Sequence, residues 1–155
     1  GVVNGLTALA PLLSGRPLGA AITVTASIAG LTAIPFDPIY AMTKHAVIGL
    51  VRGYADHLAA RGIRLQAVCP GLVDTPLLGH GRAQAAEAGY PLLSAREIAD
   101  VLADCADGTR RDTVIVVQPG RDPVPYRFAG IPGPGGGSAR LPERIDLGRL
   151  DDLLA

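Results

Sequence analysis

The amino-acid sequence predicts an α/β fold in which a parallel sheet lies between helices. Three short runs are rich in β-branched residues and nearly continuously apolar, which is typical of strands buried on both faces: residues 20–27, 63–69 and 113–118. Three other segments carry apolar residues at helical spacing: residues 2–14, 38–60 and 95–106. Because strands that alternate with helices are joined by right-handed crossovers, the three runs should form an open parallel sheet.

Local signals mark where several of these elements begin and end. Ser94 and Glu97 have the spacing of a capping box just before the third helix. The strands at residues 63–69 and 113–118 are each followed by a Pro-Gly pair, which stops a strand. Pro11 predicts a kink or an early end for the first helix, because proline cannot donate the backbone hydrogen bond of a helix interior.

The composition limits the kinds of partner that the chain can bind. It has 155 residues, 48% hydrophobic and 18% charged, which suits one globular domain with a core. Its 14 basic and 14 acidic residues balance, so nothing indicates a nucleic-acid or acidic-membrane partner. No apolar run reaches the roughly 20 residues that span a bilayer. Cys69 and Cys105 have neither metal-ligand spacing nor a disulfide framework, so we expect no metal and a reducing, cytoplasmic setting.

The chain divides into a domain at residues 1–120 and a C-terminal tail at residues 121–155 that is rich in glycine and proline. The glycine run at residues 132–137 is not followed by Lys-Ser/Thr and does not open a helix, so it predicts a surface loop and not a phosphate-binding loop. A short helix is possible at residues 142–154.

Tyr40 and Lys44 lie at the start of the long predicted helix. Residues four apart share a helix face, and this face continues the apolar stripe that should pack on the sheet. Of the 14 basic residues only Lys44 is a lysine, which indicates a position that requires a compact ammonium group. The alternative is that Tyr40 is a core aromatic residue and that Lys44 extends to solvent.

Two strand ends bring further residues to the same edge of the sheet. Ser27 ends the first strand, and Pro70-Gly71 ends the second. In open α/β sheets, ligands bind outside the carboxyl ends of the strands. The helix that carries Tyr40 and Lys44 begins at this edge, so we expect the four positions to form one site.

At these residues the sequence resembles the C-terminal half of a short-chain dehydrogenase/reductase. The matching segments are Thr25-Ala26-Ser27, Tyr40 to Lys44 with the run to residue 50, and residues 62–76 with their Pro-Gly-x-Val-x-Thr motif; the resemblance covers residues 2 to about 130. It implies the C-terminal half of a Rossmann-type, doubly wound parallel sheet, with about three of the family's roughly seven strands.

The resemblance also implies an activity: NAD- or NADP-dependent interconversion of a carbonyl and an alcohol. Tyr40 would be the general base or acid, and the ammonium of Lys44 would promote its ionisation and hold the nicotinamide ribose. Ser27 would orient and polarise the substrate oxygen. Asn4 would hold a water that relays protons between Lys44 and solvent. The remaining cofactor-binding residues would be Pro70, Gly71, Val73 and Thr75, although Thr75 could instead cap the segment that follows it.

The family's glycine-rich nucleotide-binding turn is absent from the sequence, so the chain is expected to be a truncated form of such an enzyme. The strand at residues 20–27 should then lie at an exposed, apolar sheet edge. The alternative is a non-catalytic, oligomerising remnant of the fold. A serine hydrolase is not supported, because there is no Gly-x-Ser-x-Gly and no Ser-x-x-Lys that starts at Ser27.

The remaining predictions concern partners. Gly49 and Gly53 predict a homo-oligomer through the helix at residues 38–60, because mid-helix glycines permit close helix approach; the alternative is packing against the chain's own first helix. Residues 76–93 should form a lid over an uncharged or weakly polar alcohol or ketone, with Arg82 as their only fixed positive charge. The three histidines have no site-like surroundings and should be ordinary surface or edge residues: His45, His57 and His80.

Overall fold

The computed structural model describes residues 1–17 and 19–132. The helices are α1 (Val2–Leu13), α2 (Pro38–Ala59), α3 (Gly81–Glu87) and α4 (Ala95–Asp107). The strands are β1 (Ala20–Thr25), β2 (Ile63–Pro70), β3 (Val73–Asp74), β4 (Leu93–Ser94), β5 (Val114–Val117) and β6 (Val124–Pro125), and short 3₁₀ turns cover Ile28–Gly30 and Pro76–Leu78. The possible helix at residues 142–154 and nearly all of the glycine run lie outside the described residues.

The main sheet has the strand order β1-β2-β5-β6. Strand β1 pairs with β2 in parallel from Ala20 opposite Ile63 to Thr25 opposite Val68, and β5 continues the parallel arrangement on the other side of β2. The predicted α/β fold with a largely parallel sheet is therefore confirmed, and β1 lies at the edge of the described sheet. Strand β6 is antiparallel to β5 and begins after residue 120, where the sequence analysis placed the start of the tail.

Helices cover both faces of the sheet, which explains why its strands are continuously apolar. On one face, α1 and α2 bury Leu6, Val51 and Leu58 against alternate residues of β1 and β2. On the other face, α4 packs Val101 and its neighbours against Val68 of β2 and against Ile115 and Val117 of β5. Alternate side chains of β2 thus enter two different cores, and a strand in that position cannot show the polar alternation of a half-exposed strand.

The helix ends follow local chemistry. The predicted capping box is present: the Ser94 hydroxyl accepts from the Glu97 N–H at 3.1 Å, and the Glu97 carboxylate accepts from the Ser94 N–H at 2.7 Å. Pro11 lies inside α1, which ends two residues later at Leu13. Both cysteines are free and buried. Among the described helices, none is both long and apolar enough to cross a bilayer.

Candidate active site

The first turn of α2 is fixed by a side-chain cap. The Asp37 carboxylate accepts a hydrogen bond from the Tyr40 N–H at 3.0 Å, and Pro38 occupies the first helical position. Aspartate at the N-cap and proline at the next position are both favoured at helix starts, so the Asp-Pro pair in the sequence was a signal for this role. The cap sets where Tyr40 stands at the carboxyl edge of the sheet.

Tyr40 and Lys44 are neighbours, as their spacing predicted. The Lys44 Nζ lies 5.5 Å from the centroid of the Tyr40 ring. It also lies 3.5 Å from the Thr25 carbonyl oxygen at the end of β1. Lys44 is half-buried, whereas Tyr40 is 39% exposed and so is not a core aromatic residue. In this first turn of α2 the buried residue is the neighbouring Ala41, so Tyr40 lies beside the core-facing side of the helix and not on it.

Ser27 stands two residues beyond β1 and begins the 3₁₀ turn at Ile28–Gly30. Its Oγ accepts a hydrogen bond from the Ala29 N–H at 3.1 Å. A hydroxyl that accepts in this way keeps its own hydrogen as a donor for another group. The turn therefore holds the Ser27 side chain in place without using its donor.

Gly30 allows that turn to pack directly on α2, a role that the sequence analysis missed. A Cβ atom at Gly30 would lie 2.6 Å from the Lys44 carbonyl oxygen and 2.9 Å from the Ile48 Cγ1. Both distances are too short for a real side chain, so only glycine fits without movement of the turn or the helix. The Ser-x-x-Gly spacing was present in the sequence, but its meaning depends on a helix that packs against it.

Cys69 lies beneath this arrangement and was not assigned a role by the sequence. The residue is fully buried in the core under α2. Burial raises the pKa of the Cys69 thiol from 9.0 to about 11, although a hydrogen bond from the Ser27 backbone N–H and the positive charge of Lys44 both act in the opposite direction. The thiol therefore stays protonated at neutral pH, and its surroundings include both Ser27 and Lys44.

The segment that follows β2 leaves several polar groups available. The Leu93 N–H donates to the Leu72 carbonyl oxygen at 2.9 Å, within the parallel pair of β3 and β4. In a parallel pair one residue bonds to the two neighbours of its partner, so the N–H and C=O of Val73 point away from β4. Thr75 precedes the turn at Pro76–Leu78 but its side chain makes no capping hydrogen bond, which contradicts the capping alternative.

Pro70 and Gly71 complete the end of β2. The Gly71 N–H donates to the Val117 carbonyl oxygen at 2.9 Å, so the chain still follows β5 at this point. A Cβ atom at Gly71 would lie 2.5 Å from the Gln118 Oε1, which is the end of a flexible side chain. Because Pro70 has no N–H, the pairing of β2 with β1 cannot continue past it. Strands β1 and β2 separate here, at the sheet edge where Ser27 lies.

Asn4 is not joined to these residues by a contact. It lies exposed in the first turn of α1, and its side chain makes no hydrogen bond within the described residues. The histidines are also elsewhere: His45 Nδ1 lies 2.9 Å from the Ala41 carbonyl oxygen, and His57 stacks on Tyr54 with ring centroids 5.0 Å apart. In the described part of the chain, no group of three or more His, Cys, Asp or Glu residues could hold a metal ion.

Comparison with known proteins places this arrangement in context. The family described as enoyl-(acyl carrier protein) reductase matches residues 1–105. A curated relative named short-chain dehydrogenase/reductase aba4, from Botryotinia fuckeliana, is 31% identical over 115 residues, which cover 66% of this chain and 43% of that protein. The NAD(+) enzyme 15-hydroxyprostaglandin dehydrogenase from Bos taurus is 44% identical over 54 residues, which cover 34% of this chain and 20% of that protein.

A solved structure is also similar to this chain. The structure described as ElxO with NADP bound has a TM-score of 0.56 and 26% sequence identity, and the match covers 75% of this chain and 50% of that one. The chain thus spans half or less of the length of these similar proteins.

Proposed function

This chain belongs to the short-chain dehydrogenase/reductase family of oxidoreductases, and we propose that the whole protein interconverts a carbonyl and an alcohol with NAD or NADP. The observation that carries the proposal is the position of Lys44, between the Tyr40 ring at 5.5 Å and the Thr25 carbonyl oxygen at 3.5 Å, at the strand end that also holds Ser27. In this proposal the chain is the C-terminal half of the enzyme, and the nucleotide-binding half lies in a part of the protein that precedes it.

The groups at this edge fit the nicotinamide end of such a cofactor. The Lys44 ammonium is a donor for ribose hydroxyls. The Val73 N–H and C=O, which point away from β4, and the Thr75 hydroxyl, which makes no capping hydrogen bond, suit the donor and acceptor atoms of a carboxamide. Pro70 and Gly71 would border the nicotinamide ring, since they lie where strands β1 and β2 separate. The cofactor supplies the hydride when it is bound.

The chain's own residues would then handle the proton and the substrate oxygen. Tyr40 would give its hydroxyl proton to the oxygen during carbonyl reduction and take it back during alcohol oxidation. Ser27 would donate to the same oxygen with the hydrogen that its turn leaves free. Asn4, whose exposed side chain has no protein partner among the described residues, would hold a water that connects Lys44 with solvent.

The direct test replaces Tyr40 in the full-length enzyme. Tyr40→Phe should lower kcat/KM by at least the roughly 10²- to 10⁴-fold that acid–base assistance contributes, with an unchanged circular dichroism spectrum. Tyr126→Phe is the matched control, because Tyr126 is 38% exposed against 39% for Tyr40 and lies beside β6. A folded Tyr40→Phe enzyme with near wild-type turnover, measured as NAD(P)H consumption with a panel of ketones and aldehydes, would refute the proposal.

The second candidate is a non-catalytic module that oligomerises through α2. The oligomerisation in this candidate is supported by the glycine pair on that helix: Cβ atoms built at Gly49 and Gly53 meet no other atom of the described residues within 4 Å. The chain's own first helix therefore does not occupy this face, and a second copy of the chain is our proposed partner, for an enzyme as much as for a remnant. An inactive wild-type protein that still dimerises would favour the remnant.

The oligomer has its own test. Gly53→Leu should convert the assembly to a monomer in light scattering, because the leucine blocks close approach of two helices. Ala103→Leu, on an exposed position of α4, should leave the mass unchanged. Equal masses for Gly53→Leu and wild type would contradict an interface at this helix.

A further inference from the structure

The segment from Val73 to Ser94 carries an ion pair that the proposed reaction does not use. The segment is closed at both ends by the parallel pairing of β3 with β4, with Val73 opposite Leu93 and Asp74 opposite Ser94. Leu93 is buried in the core under α4, so this closure is fixed to the domain. Residues 75–92 connect the two short strands, and this connection begins at Thr75, whose hydroxyl is proposed to bind the cofactor carboxamide.

Within this loop, Arg82 is held by Asp74 in a two-pronged contact. The Arg82 Nε lies 2.9 Å from Asp74 Oδ1, and the Arg82 Nη2 donates to Asp74 Oδ2 at 3.0 Å. Parallel N–H donors that meet both carboxylate oxygens form the most directional arrangement available to an arginine. The Arg82 guanidinium, which α3 carries, is thereby held at Asp74. The residues on either side of Asp74 are Val73 and Thr75, both proposed to contact the cofactor.

The pair controls the charge that the segment presents. Arg82 is the only fixed cation between residues 72 and 93, where the other ionisable groups are Asp74, His80, Glu87 and Tyr90. While Asp74 faces the guanidinium, the two charges cancel locally and both carboxylate oxygens are occupied. Without the Asp74 charge, the same guanidinium would stand next to the substrate side of the sheet with its donors free, and a planar fork of donors matches a carboxylate.

We propose that Asp74 is a specificity-determining residue, which neutralises Arg82 and so restricts the site to substrates without a carboxylate. This inference rests on the proposed function, since it concerns the substrate of the same site. It gives a structural reason why a lid that carries Arg82 could still cover the uncharged or weakly polar substrate that the sequence predicts. The exposure of the pair, 65% for Arg82 and 39% for Asp74, leaves the guanidinium accessible to a ligand once a substitution removes the Asp74 charge.

The test measures binding, so that it does not depend on turnover. Dissociation constants of phenylacetate and of its uncharged analogue phenylacetamide would be measured by NMR titration on the full-length protein. Asp74→Asn should tighten phenylacetate relative to phenylacetamide by about tenfold, the size expected of one partly solvated charge contact. The ratio within each variant cancels general effects of the substitution on the fold or on cofactor binding.

Two further variants make the result specific. The double variant Asp74→Asn/Arg82→Gln should return the ratio to the wild-type value, because the cation is then also gone. Asp100→Asn is the matched control: Asp100 pairs with Arg96 at 2.9 Å on the exposed side of α4, and its loss should leave the ratio unchanged.

The outcomes separate this inference from the proposed function. An unchanged ratio in Asp74→Asn, or a raised ratio that persists in the double variant, would overturn the role of Asp74 even if Tyr40→Phe is inactive. An active Tyr40→Phe enzyme would overturn the reaction whatever the ratio is. A tenfold rise that depends on Arg82, measured by the same titration, is the result that we expect.

Discussion

The polar groups at the two ends of the central sheet differ in how far they are hydrogen-bonded within the protein. Near the amino end of β5, Gln66 is fully buried, and its Nε2 donates to the carbonyl oxygens of Arg110 and Asp112 at 3.0 Å each. Arg64 donates to the Cys105 carbonyl oxygen at 2.9 Å in the same region. These bonds tie the last turns of α4 and the loop after it to β2, and a buried amide with both N–H groups satisfied stabilises one arrangement of the chain.

At the carboxyl end the polar groups are held in place but not consumed. Within the described residues, the Lys44 ammonium has one hydrogen-bond partner, the Thr25 carbonyl oxygen at 3.5 Å, and the Tyr40 hydroxyl has none. The Ser27 hydroxyl accepts one hydrogen bond and keeps its hydrogen for another partner, and the Thr75 hydroxyl makes no capping hydrogen bond. The comparison shows how one sheet serves two purposes: polar groups that bond to each other fix the fold, and polar groups that are positioned and left available can bind a ligand.

The strongest way to sharpen this comparison is to change Lys44. Lys44→Arg keeps the charge, but its broad, planar guanidinium cannot take the place of a compact ammonium between a ring and a carbonyl. In the full-length enzyme we expect it to lower kcat/KM by roughly 10²-fold or more, nearly as much as Lys44→Met. Urea unfolding should show little change for either variant. Retention of activity in Lys44→Arg would mean that only the charge matters.

A change at the opposite end should reverse the pattern. Gln66→Leu keeps the volume but leaves the carbonyl oxygens of Arg110 and Asp112 without their donors, at a cost of roughly 1–3 kcal/mol in the free energy of unfolding. Any loss of activity should follow only from the unfolded fraction. Gln84→Leu, on an exposed position of α3, is the control and should change stability by less than about 0.5 kcal/mol. A Gln66→Leu protein as stable as this control would contradict the structural role of the amide.

The smallest expected effect concerns the buried thiol beneath the site. The folded pKa of Cys69 is raised to about 11 from 9.0, so between these values the unfolded chain releases the thiol proton while the folded chain keeps it. The folded state then binds more protons, and stability falls as pH rises, by about 1.4 kcal/mol at pH 10; the decrease levels off above the folded pKa. Below pH 9 this contribution is fully present.

The measurement is the difference in unfolding free energy between wild type and Cys69→Ala from pH 8 to pH 10. Burial also raises the pKa of Cys105, but that residue is present in both proteins and its contribution cancels. The advantage of the wild type should shrink over this interval. A difference that is independent of pH would show that Cys69 does not keep its proton in the folded state.

The sequence by itself determined the elements and the edge where they meet. Helical spacing and a local capping box set α4, because these signals act within a few residues of each other. Continuous β-branched runs set the buried strands, since a strand covered on both faces has no polar side. The chain order of strand, helix and strand then brought Ser27, Tyr40 and Lys44 to one edge, which follows from the parallel topology alone.

Tertiary structure decided what depends on contacts between distant segments. Gly30 is required only because the Lys44 carbonyl lies where its side chain would stand, and Gln66 is satisfied by residues more than 40 positions away. The charge of Arg82 is cancelled by Asp74 only because α3 folds back on β3. Residue type and spacing report on neighbours along a helix or strand, whereas packing of one element on another sets which polar groups are paired and which stay free to bind.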